Sequence, residues 1–213
     1  MKRYLSVLVL FSGLVSAGYH ATISGITGGI EKRMRQGRSY RNGCPVPLND
    51  LRYLQMTYRG FDGKDHTGEM IVHKDVAKQV TQIFGELYRN KYPIRRMQLV
   101  SRYGGSDFQS IEADNTSAFN CRPATGSKKW SRHAYGKAID INPLENPYVS
   151  RSGHIAHKAS EKFRERKRKN PFKAEYRAVL LPNGSVVKAF KSRGWRWGGD
   201  WRGIKDYQHF DKR

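Results

Sequence analysis

Ser131-Arg132-His133-Ala134-Tyr135-Gly136-Lys137-Ala138-Ile139-Asp140 is the stretch on which the reading of this chain turns. Successive side chains on an extended strand project to opposite faces, so Ala138, Asp140 and Asn142 share one face while Ile139 and Ile141 share the other. The carboxylate then faces a cleft and the isoleucines face a core. His133 stands seven positions before Asp140, and the chain closes on Asp206-Tyr207-Gln208-His209. Two imidazoles and one carboxylate, from His133, His209 and Asp140, leave one position of a tetrahedral zinc open, which separates a catalytic site from a closed structural one. Asp206 is a spare carboxylate. On an unbroken strand it would face away from His209, so a loop or bulge must precede the last strand.

Outward from this stretch, residues 69–73 read as a short strand. Asp75 offers an N-cap for an amphipathic helix carrying Val76, Val80, Ile83, Phe84 and Leu87, and Pro93 ends it. Residues 96–100 resemble a second strand. Residues 104–127 are rich in Gly, Ser, Asn and Asp and are expected to form a long, functional loop. Residues 151–178 read as a basic, partly helical insertion, and residues 186–190 begin an element that ends at Gly194. The expected fold is α+β: a small antiparallel sheet carrying the zinc site, its other face covered by helices.

The 213 residues carry a formal net charge of +22. Met1-Lys2-Arg3, an apolar run over 4–15 and Ser16-Ala17-Gly18 match a secretion signal over residues 1–17, the alternative being an uncleaved anchor. Cleavage after Ala17 removes Lys2 and Arg3 and leaves +20. Glycines interrupt residues 18–43, which read as a basic flexible spacer, and the folded unit is expected over 44–213. Such a charge implies attraction to a polyanion, whether nucleic acid, an anionic membrane face or an anionic cell-wall surface, and export argues against nucleic acid. Two basic runs, 31–38 and 162–169, are either solvated faces or polyanion contacts. Cys44 and Cys121 can form one disulfide in an exported protein, worth about 4 kcal/mol on the chain-entropy account.

Ser131-x-His133-x-x-Gly136-x-Ala138-x-Asp140, followed by Asp206-x-x-His209, resembles the D-alanyl-D-alanine carboxypeptidase family of zinc peptidases, which also contains L-alanyl-D-glutamate peptidases of phage endolysins. The likeness extends over residues 44–213 and takes in Asn115-Thr116-Ser117-Ala118-Phe119-Asn120-Cys121-Arg122 and Gly194-Trp195-x-Trp197-Gly198-Gly199-x-Trp201. It implies that His133, Asp140 and His209 hold zinc, each histidine carrying its second ring nitrogen to a carbonyl or carboxylate. Asp206 is expected as the general base. Many relatives carry Glu there, and the shorter Asp requires a closer backbone.

Arg122 and Ser131 are the expected substrate-binding residues, the first through paired hydrogen bonds to a carboxylate or oxyanion, the second through the peptide backbone or, alternatively, by capping a strand. Asp107 and Tyr135 could line the cleft. Trp195, Trp197 and Trp201 are expected as core and cleft wall, and His66, His73, His154 and His157 as non-ligands. The implied substrate is a peptidoglycan stem peptide cut at its D-alanyl-D-alanine end. The rival readings are an endopeptidase cutting within the stem and a non-catalytic cell-wall-binding module.

Overall fold

A computed structural model describes residues 18–213. The expected leader, residues 1–17, lies outside the described residues. Strand β1 (Ala21–Gly25) and helix α1 (Gly28–Gln36) replace the spacer expected over 18–43. β1 pairs antiparallel with β2 (Leu51–Gly60), which turns into β3 (Asp65–His73) in a continuous antiparallel ladder. The glycines obscured a helical i, i+4 pair, Ile30 and Met34, beside which Ile26 packs from just before the helix; Met34 is 0% exposed. Burying such a side chain is worth about 1.5–3 kcal/mol, more than the ~1 kcal/mol that a glycine costs in a helix.

Helix α2 (Lys74–Arg89) carries the expected apolar face, with Val76, Val80, Ile83, Phe84 and Leu87 buried. Its cap is His73 rather than Asp75: the His73 side chain accepts from the Asp75 backbone N–H, and Asp75 lies in the first turn. Alternation along the hairpin separates two clusters. Leu54, Met56, Met70 and Val72 face α2, while Leu51, Tyr53 and Ile71 face α1 and Cys121. Both faces of this sheet are therefore covered.

β4 (Pro93–Ile94) pairs parallel with β2, and β5 (Arg96–Met97), the truncated remnant of the strand expected over 96–100, pairs parallel with β6 (Asn115–Thr116). Between them, helix α3 (Asp107–Glu112), capped by Ser106, occupies part of the expected loop. Cys44 and Cys121 are joined by a disulfide.

The site is built on short strands. β7 (Ala138–Asp140) precedes β8 (Tyr148–Val149), helix α4 (Ala174–Arg177) lies at the end of the basic insertion and helix α5 (Ser185–Lys191) follows it. β9 (Arg196–Trp197), β10 (Lys205–Asp206) and β11 (His209–Asp211) complete the chain. β7, β11 and β9 form an antiparallel sheet in the order β7–β11–β9, and β10 pairs with β8. Ile139, Ile141 and Phe210 enter the same core as α2 and α5, so the helical layer backs the strands that present polar side chains forward. The fold is the expected α+β mix, distributed over several small sheets. Among the described residues no helix is long and apolar enough to cross a membrane.

Candidate metal centre

Three elements bring the expected ligands together. His133 sits on a 3-10 turn, Arg132–Tyr135, whose N-cap is Ser131: the Ser131 Oγ accepts from the His133 backbone N–H at 3.3 Å. Gly136 ends the turn at φ 65°, and a Cβ there would lie 2.6 Å from the backbone nitrogen of His73, so both conformation and space demand glycine. Asp140 is held by a two-way bridge, donating its N–H to Ser117 O at 2.8 Å and accepting from Ser117 N–H at 3.0 Å. His209 lies directly opposite Asp140 in the β7–β11 register.

All three residues are buried, and their candidate ligand atoms lie within 4.8 Å of one another. His133 Nε2 is 3.2 Å from Asp140 Oδ2 and 3.3 Å from His209 Nδ1, and His209 Nδ1 is 3.0 Å from Asp140 Oδ1. Donors about 2.0–2.1 Å from a common tetrahedral metal stand about 3.3 Å apart, so the spacing and the chemistry of the set fit a divalent cation. His133 Nδ1 lies 2.6 Å from the Ala118 carbonyl, which can only accept; the ring proton is thereby placed on Nδ1 and Nε2 is left as the ligand atom.

The charges agree. Burial alone would raise the Asp140 carboxyl, yet the imidazoles of His133 and His209 hold it well below the usual carboxylate range. Burial would lower His209, but Asp140 outweighs it and pushes that imidazole up to about 9. A proton on His209 therefore sits where a cation would compete for the same carboxylate and nitrogens.

Asp206 occupies β10 opposite Tyr148, and residues 207–208 form the turn that the alternation required before β11. Its Oδ1 is sealed from solvent with no hydrogen-bond partner among the described residues. Burial pushes its carboxyl up to about 6, with Asp140 and Asp107 adding to the rise and His209 and His133 opposing it. The closer backbone that an aspartate needs is visible at Gly198, where a Cβ would meet the Asp206 carbonyl oxygen at 2.4 Å.

Arg122 is tied to the same framework by Ser131 N–H donating to its carbonyl at 3.1 Å. Its guanidinium donates to Asp107 Oδ2 at 2.7 Å and to Pro123 O at 3.1 Å, while the buried Nε has no acceptor among the described residues. Ser131, expected to bind substrate, has its hydroxyl oxygen engaged as the cap of the His133 turn. Tyr135 packs against the second core cluster rather than facing the cleft. Trp195 and Trp197 are core, and the Trp201 ring lies 5.4 Å from that of His209. None of His66, His73, His154 and His157 belongs to the ligand cluster.

Sequence reasoning missed the Ala118 carbonyl and the role of Gly198. Any residue can supply a carbonyl, so the first has no signature; the Gly198-Gly199 pair was a visible signal for the second. The basic runs are largely engaged: Arg33 pairs with Glu69, Arg35 with Glu31, Lys162 with Glu175, Arg164 with Glu161, and Lys167 and Lys169 with Glu165.

A family model described as D-alanyl-D-alanine carboxypeptidase matches residues 125–212, a span that contains His133, Asp140, Asp206 and His209. No solved structure matches the chain. The match and the His–Asp–His cluster together mark a metallopeptidase.

Proposed function

We propose, with residues 125–212 assigned to the D-alanyl-D-alanine carboxypeptidase family, that the protein is a zinc-dependent peptidase that hydrolyses peptidoglycan stem peptides at their D-alanyl-D-alanine end. The observation that carries this reading is the convergence of His133, Asp140 and His209, with the Asp206 carboxyl, one oxygen of which has no partner among the described residues, in electrostatic reach of all three.

When bound, zinc supplies Lewis acidity toward a water molecule and the scissile carbonyl. His133, Asp140 and His209 would hold it, with His133 oriented by Ala118. Asp206 takes the proton that the attacking water loses and passes it to the leaving amine, a role suited to a carboxyl pushed up toward neutrality. Arg122 would hold the substrate's terminal carboxylate through its guanidinium, and Trp201 walls the cleft beside His209. The leader-like residues 1–17 and the excess positive charge support export to an anionic wall where this substrate lies.

A second reading, cleavage within the stem such as between L-alanine and D-glutamate, is favoured by one observation: the Arg122 guanidinium already holds the Asp107 carboxylate and is not wholly free for a substrate terminus. Incubating the zinc-loaded protein with defined pentapeptide muropeptides and weighing the products separates the two. Loss of one terminal alanine is expected. Fragments cut inside the stem establish the second reading, and no product from any muropeptide overturns both.

A further inference from the structure

The basic run 162–169 hides one side chain that is not a surface charge. Arg166 turns inward, where Nη1 donates to Glu145 O at 2.6 Å and Phe163 O at 3.2 Å, and Nη2 donates to Asn146 Oδ1 at 2.6 Å and Leu180 O at 3.0 Å. All four acceptors are neutral oxygens. Burial accordingly pulls the guanidinium down to about 10, and the backbone adopts φ 52°, a left-handed conformation unfavourable for a residue with a Cβ. A buried cation on a strained backbone is costly, so what it touches matters.

It touches the segments that adjoin the strands of the site. The guanidinium lies 4.3 Å from the ring centroid of Tyr207, the first residue of the turn between Asp206 and His209. The Asn146 that it grips donates through Nδ2 to the carbonyls of Ile141 and Asn142, immediately after Asp140. Tyr207 N–H in turn donates to Pro147 O, and Trp197 Nε1–H donates to Tyr207 O, so the turn is fastened to the segment that Arg166 holds.

We infer that Arg166 is a positioning residue that clamps the 206–209 turn to the segment following Asp140, fixing Asp206 and His209 relative to the Asp140 strand. A planar guanidinium suits this task, since it can serve four carbonyl-type acceptors in one plane while its face meets an aromatic ring; a lysine ammonium cannot do both. The inference rests on the reading of the site as a metal-dependent peptidase.

The test uses two variants of the full chain, Arg166→Lys, which keeps the charge, and Tyr207→Leu, which keeps an apolar side chain against the core and Trp197 but removes the ring that the guanidinium meets. Three quantities are read: hydrogen exchange over residues 203–210, zinc affinity by titration of metal-free protein, and kcat and KM on the muropeptides above. In both variants exchange of the 203–210 segment should rise on the order of tenfold while α2 amides stay protected. Zinc affinity should fall about tenfold, the scale seen when a group orienting a ligand is lost. kcat should fall with KM little changed.

Unchanged local exchange and zinc affinity in both variants would overturn the clamp, as would exchange that rises equally over α2, which marks a general stabiliser. Exchange and zinc affinity read the clamp whether or not peptide is cut. An inactive wild type with the expected exchange pattern thus removes the peptidase reading and leaves the clamp standing.

Discussion

Asp140 on β7 and Asp206 on β10 are carboxylates on adjoining strand pairs, both with their charge removed from water, and their fates diverge. Asp140 meets two imidazoles within 3.2 Å and stays ionised against its burial. Asp206 has an oxygen without a partner among the described residues and is pushed up to about 6. Identical side chains are thus set apart by what surrounds them, and the proposed function gives them different work, one as a standing anion for a cation and the other as a carrier of protons.

The strongest way to break this contrast is to remove titration from one member only. Asp206→Asn should lower turnover of muropeptides about 10²- to 10⁴-fold, the usual contribution of a positioned base, with zinc content unchanged by elemental analysis. The sign of the pH dependence follows. A base must be ionised to accept a proton, so wild-type activity should climb as pH rises through about 6, or lower once a nearby cation favours the carboxylate, and this acid limb should vanish in the variant. Retained turnover would remove Asp206 from the mechanism.

Moving Asp206 without changing its chemistry is milder. In Gly198→Ala the new methyl would meet the Asp206 carbonyl oxygen at 2.4 Å and its Cβ at 2.9 Å, so the Gly198 turn and β10 must move apart. Turnover should fall on the order of 10²-fold for a displacement near 1 Å, with zinc bound as before. A loss of zinc would show instead that the two strand pairs are not separable.

A third buried acid sharpens the comparison, because after burial the group that acts on it most is another acid. Burial, then Asp114, pushes Glu145 up to about 10, and Asp114 is raised as well. A carboxyl raised in the folded state binds its proton more tightly there than in the unfolded chain, so folding stability falls as pH rises from the ordinary Glu value of 4.5 toward 10. Glu145→Gln cannot ionise. Its melting temperature should exceed that of the wild type by a margin that grows between pH 6 and 9, each 1 kcal/mol appearing as roughly 2–4 °C. An equal or shrinking margin would mean that the pair is solvated.

What was legible in the sequence follows the reach of each signal. Strand alternation placed Asp140 on the cleft and Ile139 and Ile141 in the core, and the parity of positions 206 and 209 required the turn that the structure forms at 207–208. The stripe of α2 was clear because burial repeats along it. Helix α1 was missed because Gly28 and Gly29 argued against a helix that Met34 stabilises through a distant partner surface. Arg166 looked like its charged neighbours, since a buried cation is recognised by its acceptors, and these come from residues 145, 146 and 180, remote in sequence.

The central claim is that His133, Asp140 and His209 make one metal site beside a separate proton acceptor, and calorimetric titration of zinc into metal-free protein tests it most directly. The account predicts one ion per chain for the wild type and for Asp206→Asn, and no stoichiometric binding for Asp140→Asn at the same concentrations. Equal binding by Asp140→Asn would contradict it.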